Sequence, residues 1–171
     1  MALAATGPLG LPLYNLQTIL ANSASFQTWI GATGTAPEKV VAARARIYMG
    51  AVPGASLTRP CAVINLGDDW VAEATSGGAR NHFNTTGSSF LAFEGEVSEA
   101  YEDDCGEALL EFVNAAGAAI SDIETLAGSG AYLVVNRISK HGGPMRVDIR
   151  EKDSLGDYFA IEFEIAWGEA G

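Results

Sequence analysis

The sequence predicts a single α/β (α+β) domain in which a β-sheet is packed by one long helix and preceded by shorter N-terminal helices. Apolar residues recur at helical spacing from Leu109 to Ala127, and a strict alternation of period two runs from Tyr158 to Trp167. The chain has 171 residues, 48% of them hydrophobic. A chain of this size buries about 70% of the surface its unfolded form would expose, so residues 1–171 suffice for one core.

The N-terminal stretch from Met1 to Leu13 is rich in Ala, Gly and Pro and has no Lys or Arg ahead of its apolar residues, unlike a secretory signal. Residues 1–12 are expected to form a flexible arm on a protein made in the cytoplasm. Pro12 suits the first turn of a helix, where its missing N–H has no intrahelical partner, and Leu13, Leu16, Ile19 and Leu20 follow at helical spacing. This predicts a helix over 12–21. Ser25 then precedes the triplet Phe26, Trp29 and Ile30, with Gly31 as the stop. Thr35 and Glu38 around Pro37 form a possible capping box for a brief helix through Ala43.

Arg46–Met49 and Pro60–Leu66 read as two strands, separated by a loop at Pro53, Gly54 and Ser56. The segment 67–87 holds Asp, Ser, Gly, Asn and Thr with few apolar residues, and is expected to be a long exposed loop. Phe90–Val97 reads as a third strand. Ser98 can cap a helix over 99–127, whose early Glu99, Glu102, Asp103 and Asp104 favour its positive N-terminal end and whose stop is Gly128 with Gly130. Ala131–Ile138, a turn at His141–Pro144, Met145–Arg150, a second turn at 153–156 and Tyr158–Trp167 complete a meander. Phe159, Ile161, Phe163 and Ile165 are expected to face Leu109, Val113 and Ile120 of the long helix.

The formal net charge is −11, which disfavours any role that depends on gripping nucleic acid or an anionic membrane. From Asn81 to Asn136 there is no Lys or Arg, while ten carboxylates fall there, from Glu94 to Glu124. The basic residues Lys39, Arg44, Arg46, Arg59 and Arg80 precede that stretch, and Arg137, Lys140, Arg146, Arg150 and Lys152 follow it. Such segregation suits either a solvated acidic helix or a head-to-tail interface between copies. On the second reading Glu102, Asp103 and Glu107 of one copy meet Arg44, Arg46, Arg59 or Arg80 of the next.

A search for catalytic chemistry finds none. His82 and His141 are the only histidines, and His141 adjoins two glycines. Cys61 and Cys105 have no CxxC partner and no nearby His, and are expected to remain thiols acting as small hydrophobes. No phosphate-binding loop follows Gly77 and Gly78, and the paired carboxylates lack the spacing of a calcium loop. Neither catalytic, cofactor-binding nor metal-ligating residues are therefore expected, and no window is long and apolar enough to span a bilayer.

The order of phrases carries a resemblance. "LYNLQTILANSASFQTWIGA", "ARIYMG", "RPCAVINL", a polar loop, "SFLAFEGEV" leading into an acidic helix, then "AYLVVNRI", "MRVDIR" and "YFAIEFEIAWG" together resemble the tail terminator proteins of long-tailed bacteriophages, over about Leu13 to Gly168. The resemblance implies a mostly antiparallel sheet flanked by helices and a hexameric ring in the virion, assembled in the host cytoplasm. Its implied partners are the tail tube protein and a neck or connector protein, with DNA passing through the channel without specific binding. It implies no enzyme activity and no cofactor. Competing readings are a head completion or stopper protein, or a small cytoplasmic enzyme or binding domain. An enzyme would need a concave site with convergent polar groups.

Overall fold

A computed structural model of the chain describes residues 10–50, 57–69, 71–75, 82–97, 106–127, 133–147 and 158–169. Three helices come first: α1 (Gly10–Ala21), α2 (Ala24–Trp29) and α3 (Ala36–Arg44). Strands β1 (Ile47–Met49), β2 (Cys61–Leu66), β3 (Val71–Thr75) and β4 (His82–Glu96) follow. Helix α4 (Gly106–Leu126) then precedes β5 (Leu133–Val147) and β6 (Tyr158–Glu169). The strand order is β1-β2-β4-β6-β5, with β3 pairing separately to β4. Among the described strands the β1–β2 pair is parallel and the other pairs are antiparallel. The fold is the mostly antiparallel α+β arrangement expected.

The N-terminal helices form where local chemistry places them, with two adjustments. Helix α1 begins at Gly10, inside the segment expected to be an arm, and residues 1–9 lie outside the described residues. Helix α2 is capped by Ser23 rather than led by Ser25: the Phe26 amide donates to Ser23 Oγ at 3.0 Å. Ser23 Oγ in turn donates to Asp122 Oδ2 at 2.7 Å, and the Ser25 amide donates to the same oxygen at 3.0 Å. One carboxylate of α4 thus clamps the start of α2. Burial pushes the Asp122 carboxyl up, but these hydrogen bonds outweigh it and hold the group below its usual 3.8. The clamp's contribution is present above that value and is lost as pH falls through the depressed one. The capping box of α3 is present, with the Thr35 amide donating to Glu38 Oε2 at 2.7 Å.

All four helices lie on one face of the sheet. Their buried residues, including Leu16, Leu20, Phe26, Ala43, Phe112, Ala116, Ala119 and Ile123, join a cluster with Ile47, Ala62, Ile64, Leu91, Phe93, Phe159, Ile161, Ile165 and Trp167. The alternation of β6 is realised as expected, with Phe159, Ile161, Ile165 and Trp167 buried in that cluster and Phe163 partly buried against it. Leu109, Val113 and Ile120 are likewise partly buried, and the deepest α4 positions are Ala116, Ala119 and Ile123. Phe112 stacks on Phe159 with ring centroids 5.7 Å apart. Gly95 is required beneath that ring, because an added Cβ would lie 2.6 Å from Phe112 Cδ2.

Two expectations are overturned. The segment 67–87 is not a long loop: Val71–Thr75 pairs antiparallel with the first part of β4, from Val71 opposite Thr86 to Thr75 opposite His82. Apolar content was the wrong criterion here, since a two-stranded ribbon is held by backbone hydrogen bonds, and β-branched residue types such as Val71, Thr75, Thr85 and Thr86 favour it. Nor does the chain turn at His141–Pro144. Strand β5 runs through it, and three register shifts, at Val135/Arg137, Lys140/Gly142 and Gly142/Met145, each absorb one extra residue against β6. Gly143 has φ +76° and passes so close to β6 that an added Cβ would lie 2.5 Å from the Ala160 carbonyl oxygen. The Gly-Gly-Pro sequence therefore serves a bulge, which calls on the same residue types as a turn. Residues 98–105 and 148–157, where an earlier start of the long helix and a second turn are expected, lie outside the described residues.

Candidate functional site

The helix-free face of the sheet holds a compact polar group. Register places Cys61 opposite Glu94, and Glu94 opposite Ala160. The chain entering β2 lays Arg59 across this face: Arg59 Nε donates to Glu94 Oε2 at 2.8 Å, and Nη2 lies 2.7 Å from the same oxygen. The guanidinium carbon sits 3.9 Å from the centroid of the Tyr158 ring. Both charged side chains are nearly buried, at 9% and 11% exposure. Arg46 fixes the approach by donating to the Thr58 and Pro60 carbonyls at 3.4 and 3.3 Å. A cation sandwiched between a carboxylate and an aromatic face is a strong local restraint, and it leaves Arg59 facing its own chain.

Cys61 lies fully buried under this group. Burial first, then the nearby Glu94 carboxylate, pushes its thiol from 9.0 up to about 12, against the smaller opposing pull of Arg59 and Arg46. The thiol is thus neutral at physiological pH and cannot act as a nucleophile. In a Cys105→Ser background, the folded protein should leave Cys61 unmodified by a maleimide at pH 8, with full labelling only in denaturant. Rapid labelling of the native protein would contradict this placement. The sign of the pH effect follows from the raised value: stability is unaffected below 9.0 and falls as pH rises from there toward about 12. The Tyr158 hydroxyl, raised by burial and then by Glu94, acts in the same direction.

Further along the same face, Ser88 Oγ lies 2.7 Å from Glu164 Oε1 and 3.1 Å from Asp69 Oδ2, while the Ser88 amide donates to Asp69 Oδ1 at 3.1 Å. The hydroxyl has one proton to give, so it serves one carboxylate at a time. At the end of the sheet a small cavity of about 210 Å³ is lined by Trp29, Pro60, Gly95, Glu96, Ala108, Glu111, Phe112 and Phe159. Among the described residues that line it, the ionisable ones are the carboxylates Glu96 and Glu111. Among the described residues no group of three or more His, Cys, Asp and Glu is placed to hold a metal ion, and no helix is long and apolar enough to cross a membrane.

Glu102, Asp103 and Arg80 lie outside the described residues, and Glu107 is exposed in the first turn of α4. Arg44 is half-buried, 5.7 Å above the Tyr14 ring and 3.3 Å from Thr18 Oγ1. Arg46 and Arg59 are likewise bound within the chain, as is Lys140, which donates to the Gly143 carbonyl at 2.8 Å. Sequence proximity to the N-terminal half said nothing about which way each guanidinium turns. Among the described residues the exposed basic ones are Arg137, Lys140 and Arg146, all on β5. Compared with known proteins, the chain matches no family model, and no curated protein matches it.

Proposed function

We propose that the chain is a structural virion protein, not an enzyme, which forms a ring that caps the tail tube of a long-tailed phage and joins it to the head or neck. The observation that carries this reading is the architecture. The resemblance implies a mostly antiparallel sheet flanked by helices, and the chain has such a sheet and such helices, with β3 in place of part of the expected polar loop and β5 in place of two expected strands. Among the described residues no helix packs on the opposite sheet face, which suits a protein that uses that face toward neighbours. The excess of carboxylates agrees with a channel that lets DNA pass without holding its phosphates.

Native mass spectrometry of the purified chain, together with cosedimentation against assembled tubes of a long-tailed phage's tail tube protein, tests the reading. A discrete ring, six copies by the resemblance, that cosediments with assembled tubes is the expected result. A chain that stays monomeric at micromolar concentrations and ignores the tubes overturns it.

A further inference from the structure

The ribbon of β3 with the start of β4 leaves backbone groups without partners. Strand β4 pairs with β6 from Gly87 onward and with β2 from Ser89 onward, whereas its first residues, 82–86, pair with β3 alone among the described strands. The departure falls at a glycine, a residue that lets a strand bend away from its neighbour. From Val71 opposite Thr86 to Thr75 opposite His82, the ribbon runs about 17 Å past the last β4–β6 pair at 3.4 Å per residue. Two strands alone are marginally stable in water, and a third is generally needed. In an antiparallel pair, alternate residues turn N–H and C=O toward the partner and the others turn theirs outward. The outer edge of β3 and the opposite edge of 82–86 therefore each present a row of outward backbone groups.

The two ends of the main sheet are guarded in ways that the ribbon is not. Strand β1 has three residues. Strand β5 is broken by three register shifts and carries Pro144 with the exposed Lys140 and Arg146. Short length, bulges, proline and charge all keep an edge from accepting another strand. Residues 71–75 and 82–86, by contrast, hold one formal charge, Glu73, and no Lys, Arg or Pro, and their register is unbroken. The regular, unguarded edges among the described strands are thus the ribbon's own two, equal in length, and a second copy of this chain supplies both. A two-fold dimer joined β3 to β3 leaves the β4 edge of each copy unpaired. Rotation about a ring axis keeps the direction of every strand along that axis, so β3 of one copy meets β4 of the next antiparallel. That contact pairs both edges of every copy, and closure of the ring leaves none free.

We propose that copies of this chain join through the ribbon, the outer edge of β3 in one copy pairing with the free edge of residues 82–86 in the next, head to tail around the ring. The inference rests on the ring-forming role proposed above and names its interface.

Residue-resolved hydrogen exchange of the assembled chain, and of the same chain dissociated by dilution, tests this. Within one copy only alternate amides of 71–75 and 82–86 are bonded across the ribbon; in the ring the outward set should slow by about tenfold or more on both strands. The same measurement identifies which of Ala72, Glu73 and Ala74 turn outward. Proline at an outward position of β3 removes a donor used between copies, and an edge strand tolerates it. Association read by sedimentation should then weaken about tenfold with unchanged circular dichroism. In the ring a β4 strand separates successive β3 strands, which lie about 10 Å apart, beyond disulfide reach. Oxidised Glu73→Cys/Cys105→Ser should therefore give no cross-linked dimer. If the parent forms rings whose outward ribbon amides exchange as fast as in the dissociated chain, or if a folded proline variant assembles equally well, the interface lies elsewhere and the ring-forming role stands without it. Should the proline variant fail to fold, the exchange result alone decides. Protection of the β3 edge without the β4 edge, or a dimer cross-linked through Glu73→Cys, overturns the head-to-tail order. A parent that is monomeric under all conditions overturns both the interface and the ring.

Discussion

Phe93→Ala is expected to lower the free energy of unfolding by about 3 to 5 kcal/mol, the usual range for deleting a buried aromatic ring. Phe93 is fully buried in the middle strand of the sheet. Its ring meets Trp29 at 5.9 Å, Phe163 at 6.2 Å and Phe26 at 6.3 Å between centroids. Truncation therefore opens a cavity between a helix and two strands that no single neighbour can fill. Phe163→Ala should cost less, because Phe163 packs only partly buried at the margin of the cluster. Denaturant titration of the two variants checks both the magnitude and the order. A loss below 1 kcal/mol for Phe93→Ala, or a larger loss for Phe163→Ala, would show that the core is centred elsewhere.

The second large effect is expected at the ion pair on the opposite face. Removing the carboxylate in Glu94→Ala leaves the Arg59 guanidinium nearly buried with no counter-charge, and breaking a buried pair from one side costs about 3 to 5 kcal/mol. The slight exposure of both side chains puts the expected loss at the lower end of that range. Replacing both partners, as Arg59→Met/Glu94→Leu, removes the stranded charge together with its partner and should be much milder than either single change. A double-mutant cycle reads the coupling directly. Equal losses for the single and double variants would mean that the pair contributes little and that Arg59 acts mainly through its packing on Tyr158. Because Cys61 lies beneath the pair, Glu94→Ala should also hasten thiol labelling of the folded protein.

These two effects fall on opposite faces of the same strand, and they were unequally legible. The alternation that ends at Trp167 and the apolar stripe of α4 are local patterns: side chains two apart in a strand, or three and four apart in a helix, share a face wherever the element is placed. The sequence therefore determined the helix-facing side of β6, the identity of the core helix, the capping box at Thr35 and the α+β class itself. Gly-Gly-Pro at 142–144 was ambiguous by nature, since a bulge and a turn both need a residue free of Cβ and a kinked chain; the pairing partner β6 decided between them. The ribbon of β3 with the start of β4 was hidden for a related reason, because its stabilising hydrogen bonds join backbone groups that carry no sequence signature.

The charged residues show the sharpest division. Sequence alone determined that acidic and basic residues are segregated along the chain, and that α4 carries no cation. Only the tertiary structure decided which charges are spent inside the chain. Arg59 meets Glu94 across 35 positions, Ser23 meets Asp122 across 99, and Arg44 turns onto Tyr14 and Thr18. The partner of a long, flexible side chain is set by which distant strand or helix arrives beside it, a quantity that no local spacing encodes. Of the basic residues on either side of the acidic stretch, those exposed among the described residues are Arg137, Lys140 and Arg146 on the edge strand β5, a placement that only the sheet order decides.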